Sequence, residues 1–176
     1  MRSSDDSSTA GSFAAARTRR ERLRHLTPGD LWMGLQAPVC LPLAAVALRR
    51  WGLQRVQGQL ARWTGRAAST SAVTAASVDD ARRLAWVVSL AARFGPWPAN
   101  CLQRSLVLWW FLARRGVPSE IRIGVRRRPG SPSGRASLDF HAWVESHGEV
   151  INDRRGIRRR FATFDRGIAP TDVRWR

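Results

Sequence analysis

The stretch from Asn100 to Pro118 constrains the chain most, because both ends of one helix are written into it. Asn100 stands where an N-cap belongs, Cys101 opens the helix, and the run continues to Arg115. Gly116 then supplies the left-handed C-terminal position, with Pro118 just beyond. Leu102, Leu106, Trp109, Phe111 and Leu112 surround the helix with apolar groups, which predicts burial on most sides. After it the period drops to two. Ile121, Ile123 and Val125 alternate with Arg122, Gly124 and Arg126, the pattern of a half-buried strand. Leu138, Phe140, Ala142 and Val144 alternate with Asp139, His141, Trp143 and Glu145 in a second strand. Arg128 to Ser137 reads as the loop between them. Ser146-His147-Gly148 reads as a hairpin loop leading to Val150-Ile151-Asn152-Asp153. The order predicts an α+β fold in which a central helix carrying a cysteine packs on an antiparallel sheet.

Ahead of this core the chain changes character. Its 176 residues leave room for one domain plus appendages. Residues 1–27 read as a disordered tail without the apolar run of a secretory signal, so a cytoplasmic location is expected. Residues 28–63 read as an N-terminal helical region, 64–76 as a linker, and 77–176 as the domain built on the central helix. Thr27-Pro28-Gly29-Asp30 opens the helical region, with Asp30 or Thr27 as the cap. The uncharged run Leu31 to Leu48 reaches the lower limit of a bilayer span, roughly 17–25 residues. Gln36, Pro38 and Pro42 interrupt it and Arg49-Arg50 follow, which favours a buried or interfacial helix pair and leaves membrane association open. Leu53, Val56, Leu60 and Trp63 form one face of a second piece. Ser77-Val78-Asp79-Asp80 starts a further helix that ends at Gly95-Pro96, with acids where the dipole favours them.

Charge and cysteine content exclude several classes. Basic residues number 30 against 13 acids, a formal charge of +17, and every basic residue is arginine. The runs Arg126-Arg127-Arg128, Arg154-Arg155 and Arg158-Arg159-Arg160 suggest a nucleic-acid binder as a rival reading. No aromatic-interleaved RNA signature or zinc finger accompanies them, so solvated faces are the expectation and nucleic acid is not an expected partner. Cys40 and Cys101 are too few for a disulfide scaffold or a four-cysteine zinc site. No phosphate-binding glycine loop and no spaced ligand cluster is present, so neither cofactor nor metal is expected.

Cys101 carries the candidate chemistry. A cysteine in the first turn of a helix feels unpaired backbone N–H groups and the positive end of the dipole, which favour thiolate. The same turn offers N–H groups to a developing oxyanion, and Asn100 and Gln103 are further candidates by position. A nucleophile needs a base, and a base needs an orienting group. His141 lies on the strand face that is not fully apolar; His25 falls in the tail and His147 in a hairpin tip. A three-residue hairpin loop sets Asp153 opposite His141, whereas a two-residue loop sends it to the other face. The chemistry favours the first. Cys40, in the apolar run, is expected to be structural, and Trp109-Trp110 either pack the central helix or line a substrate groove.

Cys101-Leu102-Gln103-Arg104-Ser105, Trp109 to Gly116, Ile123-Gly124-Val125, His141-Ala142-Trp143-Val144-Glu145 and Val150-Ile151-Asn152-Asp153 together carry a resemblance. In this order they resemble the transglutaminase-like cysteine peptidase of lasso-peptide biosynthesis, the C-terminal half of its B-protein. The likeness covers about Ser77 to Asp165, including Phe161-Ala162-Thr163-Phe164-Asp165, and extends more loosely back to residue 28. It implies a papain/transglutaminase-like core with Cys101 as nucleophile, His141 as base and Asp153 as its orienter. It also implies removal of the leader from a ribosomally made precursor peptide, after which a separate ATP-dependent cyclase uses the freed amine. Fused members carry a leader-recognition module with a three-stranded sheet. Residues 1–76 show no period-two strands, so a separate recognition protein is the implied partner, with the apolar face of Asp30 to Trp63 as its expected docking place. A transamidase or other acyl transferase on the same triad is the main rival, because only the acceptor differs.

Overall fold

A computed structural model of the chain describes residues 26–68, 78–128, 137–154 and 156–163. The expectations for residues 1–25, 69–77, 129–136 and Phe164-Asp165 lie outside the described residues. The elements in chain order are helix α1 (Pro28–Ala68), α2 (Val78–Phe94), α3 (Cys101–Arg114), strands β1 (Glu120–Arg128), β2 (Ser137–Ser146) and β3 (Glu149–Val150), a short helix α4 (Ile157–Arg160) and strand β4 (Ala162–Thr163). The strands form one antiparallel sheet in the order β3-β2-β1-β4.

Helix α1 starts with a reciprocal cap. The Asp30 amide donates to Thr27 Oγ1 at 3.2 Å, and the Thr27 amide donates to Asp30 Oδ2 at 2.9 Å. Thr27 is therefore the cap and Asp30 its partner in a capping box. Pro28, at the first helical position, has no amide to leave unpaired. The helix breaks at Gly52 (φ 74°, ψ 166°), so the two pieces expected on either side of Arg49-Arg50 are joined at an angle. It continues to Ala68, beyond the residue 63 expected from composition, and passes through Thr64 and Gly65 despite their low helix propensity.

Helix α3 is the centre of the molecule. Leu106, Leu108, Trp109, Phe111 and Leu112 are each at most 1% exposed. They meet Met33, Ala37 and Leu41 of α1, Leu84 and Val88 of α2, and Ile121 and Val144 of the sheet in one core. The packing reading of Trp109 is thus correct. At its C-terminus the Gly116 amide donates to Ala113 O and the Val117 amide to Leu112 O, as expected for a glycine stop. Arg115 Nη1 reaches Asp30 Oδ1 at 2.5 Å and Arg114 Nη1 reaches Gln36 Oε1 at 3.0 Å, which ties the start of α1 to the end of α3. The N-terminal helical region and the sheet therefore share one hydrophobic interior.

The other sheet face is covered by the chain's own return. Trp143, Val150, Ile157 and Phe161 form a second, smaller core there. Gly124 lets this layer close: a Cβ at that position would stand 2.7 Å from Phe161 Cβ and 2.9 Å from the Trp143 ring. Glu145, 3% exposed, is the layer's charged centre. It accepts two hydrogen bonds from Arg158 (2.7 and 2.6 Å) and one from Trp143 Nε1 (2.7 Å), with Arg122 at 3.5 Å.

Burial pushes the Glu145 carboxyl up, but the hydrogen bonds from Arg158 and Trp143 and the charges of Arg158 and Arg122 together outweigh it and hold it below its ordinary 4.5. Asp30 behaves alike: burial is outweighed by the Thr27 amide and by Arg115, so it sits below 3.8. A carboxyl depressed in the folded state adds stability that is complete above its unfolded value and lost as pH falls through the folded one. Thermal melts should therefore lose midpoint as pH falls below about 4.5. Glu145→Gln should be less stable at neutral pH with a shallower acid slope; an identical slope would remove Glu145 from this account.

Candidate active site

Asn100 and Gln103 build the start of α3. The Gln103 amide donates to Asn100 Oδ1 at 2.9 Å and the Asn100 amide donates to Gln103 Oε1 at 3.0 Å, a capping box. The Arg104 amide goes to Asn100 O at 3.1 Å. That leaves the amides of Cys101 and Leu102 as the first-turn donors that precede any intrahelical acceptor. Cys101, half-buried, is the first residue of this turn.

His141 lies on β2 opposite Gly124 of β1. Its Nε2 is 2.5 Å from Asp153 Oδ2, and Asp153 Oδ1 accepts the Arg154 amide at 2.7 Å. With the carboxylate on Nε2, the neutral ring keeps its proton there and leaves the Nδ1 lone pair for another partner. The ring packs against Trp143 (centroids 6.2 Å, planes 25° apart) and Phe161 (5.3 Å, 32°). Two aromatic rings thus fix its plane while Asp153 fixes its rotation.

The His141–Asp153 pair forms, but not through the expected hairpin. The turn has two residues, His147 (φ 50°) and Gly148 (φ 76°), and pairs Ser146 with Glu149 and Glu145 with Val150. That is the register that in a continuing strand would turn Asp153 away. The strand does not continue. Pairing ends at Val150, the Ile151 amide donates to Val144 O at 2.9 Å, and Asn152 Oδ1 then takes the Val144 amide at 2.7 Å. A side-chain carbonyl thus replaces the next backbone acceptor, and the chain bends so that Asp153 comes back to His141. His147, the alternative histidine, is exposed in the turn and contacts Ser146 Oγ at 3.0 Å.

One polar bridge connects the helix to the histidine strand. Fully buried Ser105 donates through Oγ to Ala142 O at 3.1 Å and accepts from Asn152 Nδ2 at 3.0 Å. Ser105 is four residues after Cys101, on the same face and about one turn away (~5.4 Å). The cysteine's helix face is therefore clamped to the residue after His141 and to the residue before Asp153. Cys101 itself makes no hydrogen bond to His141 among the described residues. Sequence patterning alone gives neither Ser105 nor Asn152 a role of its own. The available signal was a small polar residue one turn from the cysteine in an otherwise apolar helix.

Among the described residues no three His, Cys, Asp or Glu side chains gather as metal ligands. Cys40 lies in α1, half-buried, and burial pushes its thiol up against a smaller pull from Arg114.

A capped cysteine-bearing helix laid on an antiparallel sheet, with a His–Asp pair at its edge, defines a transglutaminase-like α+β domain. A family model described as the transglutaminase-like superfamily matches residues 43–165, and the chain belongs to that superfamily, which includes cysteine peptidases and acyl transferases. The match begins inside α1 and takes in the second half of that helix. No curated protein and no solved structure is similar enough to match.

Proposed function

We propose that this chain is a cysteine peptidase that removes the leader from a ribosomally made lasso-peptide precursor, with Cys101 as nucleophile, His141 as base and Asp153 as orienter. The observation that carries the reading is the His141–Asp153 contact held beside the start of the cysteine helix by Ser105 and Asn152. In the free protein such catalytic hydrogen bonds are often long and tighten with substrate, so the Cys101–His141 bond belongs to the substrate complex. His141 Nδ1 takes the thiol proton, and the thiolate adds to the carbonyl of the last leader residue. The first-turn amides of Cys101 and Leu102 face the oxygen that becomes negative. Imidazolium passes its proton to the departing core amine, leaving a thioester on Cys101. Water, deprotonated by His141, then releases the leader acid and restores the thiol.

The test is precursor cleavage followed by mass spectrometry in water enriched in heavy oxygen. The peptidase reading predicts one cut at the leader–core boundary, with the label on the new leader carboxyl. Unlabelled leader joined to an added amine would establish the transferase reading instead. No cleavage with any precursor encoded beside this gene would overturn the lasso assignment.

A leader is a flexible segment, so binding it costs ordering entropy that a small cleft recovers poorly. A separate recognition protein that holds the leader and docks on a part of this chain left free by the outer face of α1 raises its local concentration, on the order of mM for short flexible tethers. Cleavage by this chain alone should therefore be slow and be restored by adding that protein. Equal rates with and without it would place leader recognition in this chain.

A further inference from the structure

Between Leu31 and Val46 every exposed position of α1 is a large hydrophobic residue: Leu31, Trp32, Leu35, Val39, Leu43 and Val46, each 57–70% exposed. At 100° per residue they fall within an arc of about 120° and run about 22 Å along the helix. Met33, Ala37, Leu41 and Ala44 occupy the opposite side and are buried in the core. The helix is thus apolar on two faces, and among the described residues only one is covered. Contiguous exposed patches of this kind mark an interaction site.

What surrounds the face points to its occupant. From residue 31 to residue 78 there are five arginines and no acid. Arg49 and Arg50 follow the apolar face directly and are exposed. Trp32 stands near one end of the face, and Trp51 and Trp63, 59% and 65% exposed, lie beyond the other. Leu43 and Val46 continue into a groove of about 690 Å³, lined also by Trp51, Leu60, Trp63 and Trp110. Trp110 there carries a buried indole N–H with no acceptor among the described residues. Apolar ridge, tryptophans at its ends and arginines without acids are the composition of a helix that rests in an anionic lipid interface.

We propose that the outer face of α1, with the adjoining groove, docks on an anionic phospholipid bilayer, the helix lying along the surface rather than crossing it. Crossing would require pulling Met33, Ala37 and Leu41 out of the core and Asp30 off Arg115. A protein partner on the same face needs an acidic rim to meet the arginines and no polar groups toward the ridge. A bilayer meets both conditions without special design. This inference is independent of the catalytic reading.

The test is flotation of the full chain on density gradients, which separates vesicle-bound protein from aggregate. Vesicles of phosphatidylcholine containing phosphatidylglycerol should carry the protein upward. Phosphatidylcholine alone should carry less, and salt should reduce the difference. Leu35→Asp/Val39→Asp/Leu43→Asp should lower partitioning more than about tenfold, since three apolar contacts become charged. Arg49→Glu/Arg50→Glu should remove the preference for the anionic lipid. All changed positions are exposed, so circular dichroism should stay wild-type, and Leu35→Asp alone serves if the triple variant does not fold. Protein left at the bottom with anionic vesicles overturns the proposal, as does equal flotation of wild type and Leu35→Asp. A concentration-dependent dimer that the aspartates dissolve, without flotation, would assign the face to a second copy; lipid-free binding to the recognition protein, lost in the same variants, would assign it there.

Discussion

On the proposed triad, Cys101→Ala should lower the rate of precursor cleavage at least about 10⁴-fold, and His141→Ala should do the same, because a nucleophile and its base act as a unit. At 1.36 kcal/mol per tenfold, that is about 5 kcal/mol or more of transition-state stabilisation. Cys40 offers no substitute. It lies in another helix, and burial keeps its thiol protonated near neutral pH. Asp153→Asn should fall between wild type and His141→Ala. The amide oxygen still accepts the Nε2 proton and holds the ring, but the negative charge that supports the imidazolium is gone. Melting curves of all three variants should stay close to wild type, since Cys101 is at a helix start and the pair is only partly buried. Wild-type turnover by Cys101→Ala, measured by mass spectrometry on the precursor, ends the nucleophile assignment. Turnover by Asp153→Asn no better than His141→Ala would show that the carboxylate charge, rather than the ring orientation, dominates.

The helix that bears the cysteine was readable because its signals are local: a cap residue, an apolar circumference, a glycine stop. The alternation in β1 and β2 was readable for the same reason, and both strands cover the residues expected of them. The approach of Asp153 to His141 was not, because it depends on where β3 stops. A hairpin rule extrapolates pairing, and here pairing ends at Val150 when Asn152 supplies a side-chain acceptor. The right neighbours were expected for the wrong register. Trp63 shows a second limit. Helical spacing puts it on one face with Val56, and along that face exposure rises from 8% at Val56 to 65% at Trp63. Periodicity tells which residues share a side of a helix and says nothing of how far along that side the protein extends. Glu145 alternates onto the less apolar face of its strand, and alternation alone does not say what covers that face. Its burial comes from Ile157, Arg158 and Phe161, which return over the sheet after a turn, closed by the Ile157 amide on Arg154 O, that no local pattern announces.

That returning layer should also carry the largest stability effect in the sheet. Trp143 is completely buried, packs with Val150, Ile157 and Phe161, stacks on His141 and donates to Glu145. Trp143→Ala removes the largest side chain of a small core and should cost about 3–5 kcal/mol, read as a lower urea midpoint with unchanged slope. In a chain of this size each kcal/mol lowers the melting midpoint by roughly 2–4 °C. Trp143→Phe separates the contributions: it keeps most of the packing and loses the hydrogen bond to Glu145, whose other donors come from Arg158. It should cost about 1–2 kcal/mol, allowing for one lost hydrogen bond to a charged group and a small void. The activity of the two variants should diverge more than their stability. Phenylalanine still supports one side of the His141 ring, whereas alanine leaves only Phe161 and Asp153 to hold it. If Trp143→Ala costs less than about 1 kcal/mol, the segment 156–163 is not part of the cooperative fold, and the histidine is held by Asp153 alone.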